Sequence, residues 1–196
     1  MLQTDQNAIE DTFVLHEALR AIPRLIVLDL EATGLNFEFD RIIELGVIEF
    51  QQGKHVLEYS RQFRGGLTFG STRIHGIGDK ERQEEEQFEE CAQDVSNYLS
   101  NASLAGHNIH KFDHPMIVAK LRTAGCGLVG IRLIDTMHLA KRLGVMGKSL
   151  KSLCSRYDIP YGGHRGLDDA RSTLVLLNVM ASKLGVQSPE ELYSKK

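Results

Sequence analysis

Apolar and polar positions along this chain follow two periods. Residues 25–30 form an apolar run broken by Asp29 and followed by Glu31-Ala32-Thr33-Gly34, a turn signal, which predicts a strand buried on both faces. Residues 41–50 and 56–63 predict two further strands, with Gln51-Gln52-Gly53-Lys54 as the hairpin turn between them. The period then lengthens. A helix is predicted over 84–100, with Phe88, Cys91, Ala92, Val95, Tyr98 and Leu99 turned inward. A strand at 102–105, a helix at 114–124 with Pro115 in its first turn, a strand at 131–134 and helices to the end follow. Residues 7–21 predict an extra amphipathic helix with Ile9, Phe13, Val14 and Leu19 on its apolar side. This order predicts an α/β layer fold, organised as an N-terminal helical extension over 1–22 and one domain over 23–196.

Composition narrows the class. A chain of 196 residues with 42% hydrophobic content can bury one sizeable core. Its first residues are polar and acidic, unlike a secretory signal, and no segment is long and apolar enough to cross a membrane. The cysteines Cys91, Cys126 and Cys154 are far apart and lack metal-ligand spacing. They predict reduced thiols and a cytoplasmic location. A net charge of −3 argues against wrapping long duplex DNA, though not against gripping a few nucleotides at a strand end. The charge is uneven: 81–94 is acidic, which fits a solvated helix face, while 141–156 carries five basic residues and no acid. That basic stretch fits ordinary surface or the edge of a nucleic-acid groove equally well.

Candidate chemistry lies in three separated clusters. Asp29 and Glu31 stand two apart on the first strand and so emerge on one side. Two like charges held that close repel unless a cation sits between them, and Mg2+ prefers oxygen ligands. The second cluster, Gly106-His107-Asn108-Ile109-His110-Lys111-Phe112-Asp113, is a polar turn in which Asp113 opens a helix. The third is His164-Arg165-Gly166-Leu167-Asp168-Asp169, with Asp168 expected as the helix N-cap and Asp169 in its first turn. Other matches fail on context. Gly125-Cys126-Gly127-Leu128-Val129-Gly130 follows a helix instead of opening one, so a helix-ending turn is expected, not a dinucleotide site. Gly147-Lys148-Ser149 lacks the earlier glycine of a phosphate loop. His107, His110 and His114 lack a fourth zinc ligand; the last two are expected at the surface.

Together the three clusters resemble the DnaQ-like DEDDh 3′-5′ exonucleases, the family that includes proofreading epsilon subunits. The resemblance rests on Asp29-Leu30-Glu31-Ala32-Thr33-Gly34-Leu35, His107-Asn108 with Phe112-Asp113, and His164 with Asp169, and it spans residues 24–184. The segment Ser71-Thr72-Arg73-Ile74-His75-Gly76-Ile77 is similar to one these enzymes often carry. Ala32 is an insertion in the usual first motif, and Gly166 stands where alanine is usual. The resemblance implies a ribonuclease-H-like mixed five-stranded sheet flanked by helices. It implies two Mg2+ or Mn2+ ions held by Asp29, Glu31, Asp113 and Asp169. His164 is implied as general base, a task suited to an imidazole near neutral pH. Thr33, Gly34 and Leu35 are implied around the last nucleotide, with His107, Asn108 and Phe112 near it; core packing is the alternative for Leu35 and Phe112. The expected activity is release of nucleoside 5′-monophosphates from 3′ ends, DNA first and RNA trimming as the alternative. A silent nucleic-acid-binding module and a Mg2+-dependent nucleotide hydrolase are the other classes. Expected partners are nucleic acid 3′ ends, and a polymerase subunit or a second copy of the chain.

Overall fold

The computed structural model describes residues 13–64, 86–146 and 149–194. Its frame is a five-stranded mixed sheet of strands β1 (Arg24–Ala32), β2 (Ile42–Gln51), β3 (Lys54–Gln62), β4 (Ser103–Gly106) and β5 (Arg132–Asp135), in the order β3-β2-β1-β4-β5. β1 pairs antiparallel with β2 and parallel with β4, so the strand bearing Asp29 and Glu31 lies at the centre. The helices are α1 (Glu17–Arg20), α2 (Ala92–Leu99, entered through a 3-10 turn at Phe88–Cys91), α3 (Asp113–Thr123), α4 (Thr136–Arg142), α5 (Leu150–Arg156) and α6 (Gly166–Leu184). This is the ribonuclease-H-like architecture that the resemblance implied.

Alternation along β1 sorts its side chains between two cores. Leu25 and Val27 pack with Ile48 and Phe50 of β2 under α6, where Leu174, Leu177 and Met180 close the layer. Ile26, Leu28 and Leu30 face the other way, onto Phe63, Val95, Leu99, Met116 and Leu121. Both faces of the central strand are therefore buried, which explains its nearly unbroken apolar run. Since side chains alternate, Asp29 and Glu31 continue the Leu25–Val27 row onto the α6 side.

Three predicted elements differ in the structure. The N-terminal helix, read over 7–21, is helical only at Glu17–Arg20 among its described residues; 7–12, with Ile9, lie outside them. Val14 is 71% exposed, whereas Leu15, Ala18, Leu19 and Ile22 join the α6-side core. Among its described residues, the helix read over 84–100 begins at Phe88, where the Gln87 and Glu90 side chains form a capping box; 84–85 lie outside them. The third helix start is set by Arg165, not Asp168: α6 begins at Gly166, and Asp168 instead accepts a 3.0 Å hydrogen bond from Arg171.

Gly125 adopts φ +76° just beyond α3, so the Gly125–Gly130 segment is a helix-ending turn as expected. Cys91, Cys126 and Cys154 are free thiols. No helix among the described residues is long and apolar enough to cross a membrane.

Candidate active site

The first-motif acids occupy the last turn-ward positions of β1, opposite Gly46 and Glu44 of β2. Beyond them the chain turns tightly. Thr33 Oγ1 donates to Asp40 Oδ1 at 2.8 Å, and the Asn36 N–H donates to Asp40 Oδ2 at 2.8 Å. A Cβ on Gly34 would lie 2.5 Å from that carboxylate, so a side chain there would push Asp40 out of the turn. The Lys120 ammonium, buried on α3, fastens the same loop by donating to the Glu38 carbonyl at 3.1 Å. Leu35 is left 80% exposed at the turn, and the half-buried Phe112 ring meets Phe37 with centroids 6.4 Å apart.

The second motif reaches β1 through Asp113. Its carboxylate is buried, and Oδ1 accepts the Leu30 N–H at 3.2 Å, joining the start of α3 to the end of β1. His107 and Asn108 precede it in a turn where Asn108 takes φ +60°, a conformation asparagine tolerates. Asp135, which the sequence did not single out, organises this turn. Its Oδ1 accepts from the Asn108 N–H and the Met137 N–H, both at 2.9 Å. It thus caps α4 and holds the motif at once. Thr136 lies 2.8 Å from His107 Nδ1. His110 and His114, expected at the surface, are half-buried, and burial lowers the pKa of each; His110 stacks on His138.

The third motif comes from the loop before α6. His164 is exposed and adopts φ +62°, while Asp169 is buried with Oδ1 lacking a hydrogen bond. Ligand atoms of Glu31, His164 and Asp169 all lie within 4.8 Å of one another. A cleft of about 490 Å³ opens over them, lined also by Asp29, His107, Asn108, Lys151 and Tyr161. Lys151 belongs to the basic 141–156 stretch, which therefore borders the acids at that residue. A second, mainly apolar hollow of about 300 Å³ lies between β3 and α2 and contains none of these groups. The segment 71–77 and residues Gly147-Lys148 fall outside the described residues.

Electrostatics makes this cluster unsatisfied by itself. Burial first, then the charges of Asp113, Asp169, Glu31 and Glu44, pushes the Asp29 carboxyl well above its ordinary range. Burial and the neighbours Asp169, Glu44 and Asp113 raise Glu31 to about 7, against a lowering pull from Arg165. Burial also carries Asp113 to about 7, although hydrogen bonding from the Leu30 N–H opposes it. Asp169 is raised by burial, with the His164 and Gly163 backbone groups opposing. Carboxyls that resist ionisation together are the donor set a hard divalent cation would relieve. Glu44, also unread in the sequence, is a further buried acid of this group.

Residues 26–177 match the exonuclease family RNase_T. The chain belongs to this exonuclease family. Among its relatives is the DNA polymerase III subunit epsilon of Buchnera aphidicola subsp. Schizaphis graminum, 34% identical over 75% of this chain and 68% of that protein. The PolC-type DNA polymerase III of Thermotoga petrophila is 33% identical over 87% of this chain. The chain spans only 13% of that PolC-type protein's length. A solved structure of exonuclease X with 5′-overhanging duplex DNA superposes with TM-score 0.66 at 23% identity, covering 86% of this chain and 96% of that one. Exonuclease I superposes with TM-score 0.73 at 13% identity, over 81% of this chain and 41% of that one. These structures share the fold of this family member.

Proposed function

We propose that this RNase_T-family chain is a metal-dependent 3′-5′ exonuclease that releases nucleoside 5′-monophosphates, with single-stranded DNA as its leading substrate. The observation that carries this reading is the convergence of Glu31, His164 and Asp169 ligand atoms within 4.8 Å, beside Asp29 and Asp113. The donor set fits hard divalent cations: carboxylates raised first by burial and, at Asp29 and Glu31, by their acidic neighbours, and a buried Asp169 Oδ1 with no hydrogen-bond partner. Asp29, Glu31, Asp113 and Asp169 would hold two Mg2+ or Mn2+ ions. Such ions, when bound, supply charge neutralisation at a phosphodiester and activation of water.

The remaining work falls to the chain's own residues. His164 takes the proton from the attacking water while the bond from phosphorus to the penultimate 3′ oxygen breaks. The Asp40-braced turn at Thr33-Gly34 orients the terminal nucleotide, and exposed Leu35 meets its base. His107 and Asn108 line the cleft with Lys151, which lies near the phosphates, while Phe112 packs on Phe37 outside that lining. Binding of an unstacked end gains from such apolar contacts. DNA is favoured over RNA because relatives include proteins named as DNA polymerase III components, which also supports a polymerase as partner class.

The test uses 5′-labelled single-stranded DNA and RNA side by side, with Mg2+ or Mn2+. The expected result is a ladder shortening from the 3′ end of DNA, blocked by a 3′-phosphate and unaffected by a 5′ block. Cutting of a closed circular strand, or turnover of free nucleoside triphosphates only, would overturn it.

A further inference from the structure

Glu44 has no part in the motif set, yet it is 1% exposed and lies directly opposite Glu31 across the β1–β2 ladder. Its Oε1 accepts the Ser60 hydroxyl at 2.6 Å. Its Oε2 has no hydrogen bond and sits 3.5 Å from Arg165 Nε. A buried carboxylate beside Glu31 and Asp29 adds to their repulsion. A half-exposed arginine returns little stability for that cost, since ion pairs open to solvent contribute about 0–1 kcal/mol. Fold stability therefore does not account for Glu44.

Arg165's position in the chain offers an account. It follows His164, whose left-handed backbone is costly for a residue with a Cβ, and it precedes the first residue of α6. Holding the Arg165 side chain on β2 fixes the junction from which His164 projects. We propose that Glu44 is a positioning residue: its buried carboxylate anchors Arg165 to β2 and thereby keeps His164 over Glu31 and Asp169. This inference rests on the exonuclease reading for its catalytic consequence, and on geometry alone for its structural one.

Glu44→Gln keeps an acceptor for Ser60 and removes the charge that faces Arg165; Arg165→Met removes the other partner from an exposed position. Each should lower kcat on a labelled oligonucleotide by roughly 10–100-fold, the scale of a misplaced catalytic group. KM should stay within about twofold, as for a step that does not involve ground-state binding, and Mn2+ binding should persist in both variants, altered only by the lost neighbouring charge. The double variant should be no slower than the slower single, because both act through one contact. In the substrate-free protein, the NMR signal of the His164 ring should lose the ring-current shift from Tyr161, whose ring lies 6.0 Å away at an interplanar angle of 88°. Unchanged kcat, additive losses, an unmoved His164 signal, lost Mn2+ affinity in Glu44→Gln, or a raised KM in Arg165→Met would each overturn the proposal. If the wild type cuts no oligonucleotide, the exonuclease reading fails, while the NMR comparison still decides whether Glu44 positions His164.

Discussion

Gly46 of β2 and Gly166 at the start of α6 meet backbone to backbone. A Cβ on Gly46 would fall 2.2 Å from the Gly166 carbonyl carbon, and one on Gly166 would lie 3.0 Å from the Gly46 nitrogen. Gly46 is also the β2 partner of Asp29, so this contact seats the first turn of α6, with Asp169, against the strand that bears the first-motif acids. A helix N-terminus placed there favours negative charge.

The two glycines should respond differently to alanine. In Gly46→Ala the added methyl strikes backbone that cannot turn aside, costing roughly 1–3 kcal/mol and weakening Mn2+ binding. In Gly166→Ala the tight contact is smaller and is offset by a helix propensity gain of up to about 1 kcal/mol. Thermal melts of both variants, with Mn2+ calorimetry, check the asymmetry; equal melting losses would show that the contact is not the constraint.

Asp29→Asn should abolish cleavage in Mg2+ and raise the melting temperature of the metal-free protein. The substitution removes a buried carboxyl that burial and its acidic neighbours hold against ionisation, and puts a neutral amide in its place. Robust turnover by the purified variant would exclude Asp29 from the machinery.

Asp40→Ala should raise KM more than it lowers kcat. Both Asp40 carboxylate oxygens are spent on the Thr33–Asn36 turn, so its loss loosens nucleotide placement and leaves the acids in position. Steady-state kinetics on a single-stranded oligonucleotide measures the split.

Stability without metal should depend on pH with a definite sign. Glu31 and Asp113 are raised to about 7 in the folded chain, from ordinary values of 4.5 and 3.8. Across that interval the folded state binds more protons than the unfolded one, so stability falls as pH rises. It is fully present below about pH 4 and lost as pH rises through about 7, with a total change of at most roughly 8 kcal/mol. Mn2+ should reverse the trend, because binding requires the ionised carboxyls and releases protons. Urea titrations at pH 4.5, 6 and 7.5, with and without Mn2+, give both slopes.

Much of this arrangement was legible from local pattern. The nearly unbroken apolar run foretold a strand buried on both faces, and the two-residue spacing of Asp29 and Glu31 put both on one side, which the fold turns toward α6. Contacts set by strand register were not legible. Glu44 reads as one polar letter in an apolar strand until pairing puts it opposite Glu31. Asp135 reads as the end of a short strand until its carboxylate is found under the Asn108 turn. Asp168 has the composition of an N-cap, but the contact between Gly46 and Gly166 starts the helix three residues earlier and frees Asp168 to bind Arg171. The apolar spacing within 7–21 suggested a longer helix, whereas among its described residues packing of Leu15, Ala18 and Leu19 on the α6-side core needs only a single helical turn.

The most direct test of the account compares His164→Ala with Asp169→Ala. His164 is close enough to Glu31 and Asp169 to share a cation with them, yet the account makes it the proton acceptor and Asp169 the ligand. Calorimetric Mn2+ titration beside turnover of a labelled oligonucleotide separates the roles. His164→Ala should lose about 10²–10⁴-fold in turnover with Mn2+ affinity nearly unchanged, while Asp169→Ala should lose both. Full turnover in His164→Ala, or Mn2+ affinity lost equally in both variants, would contradict it.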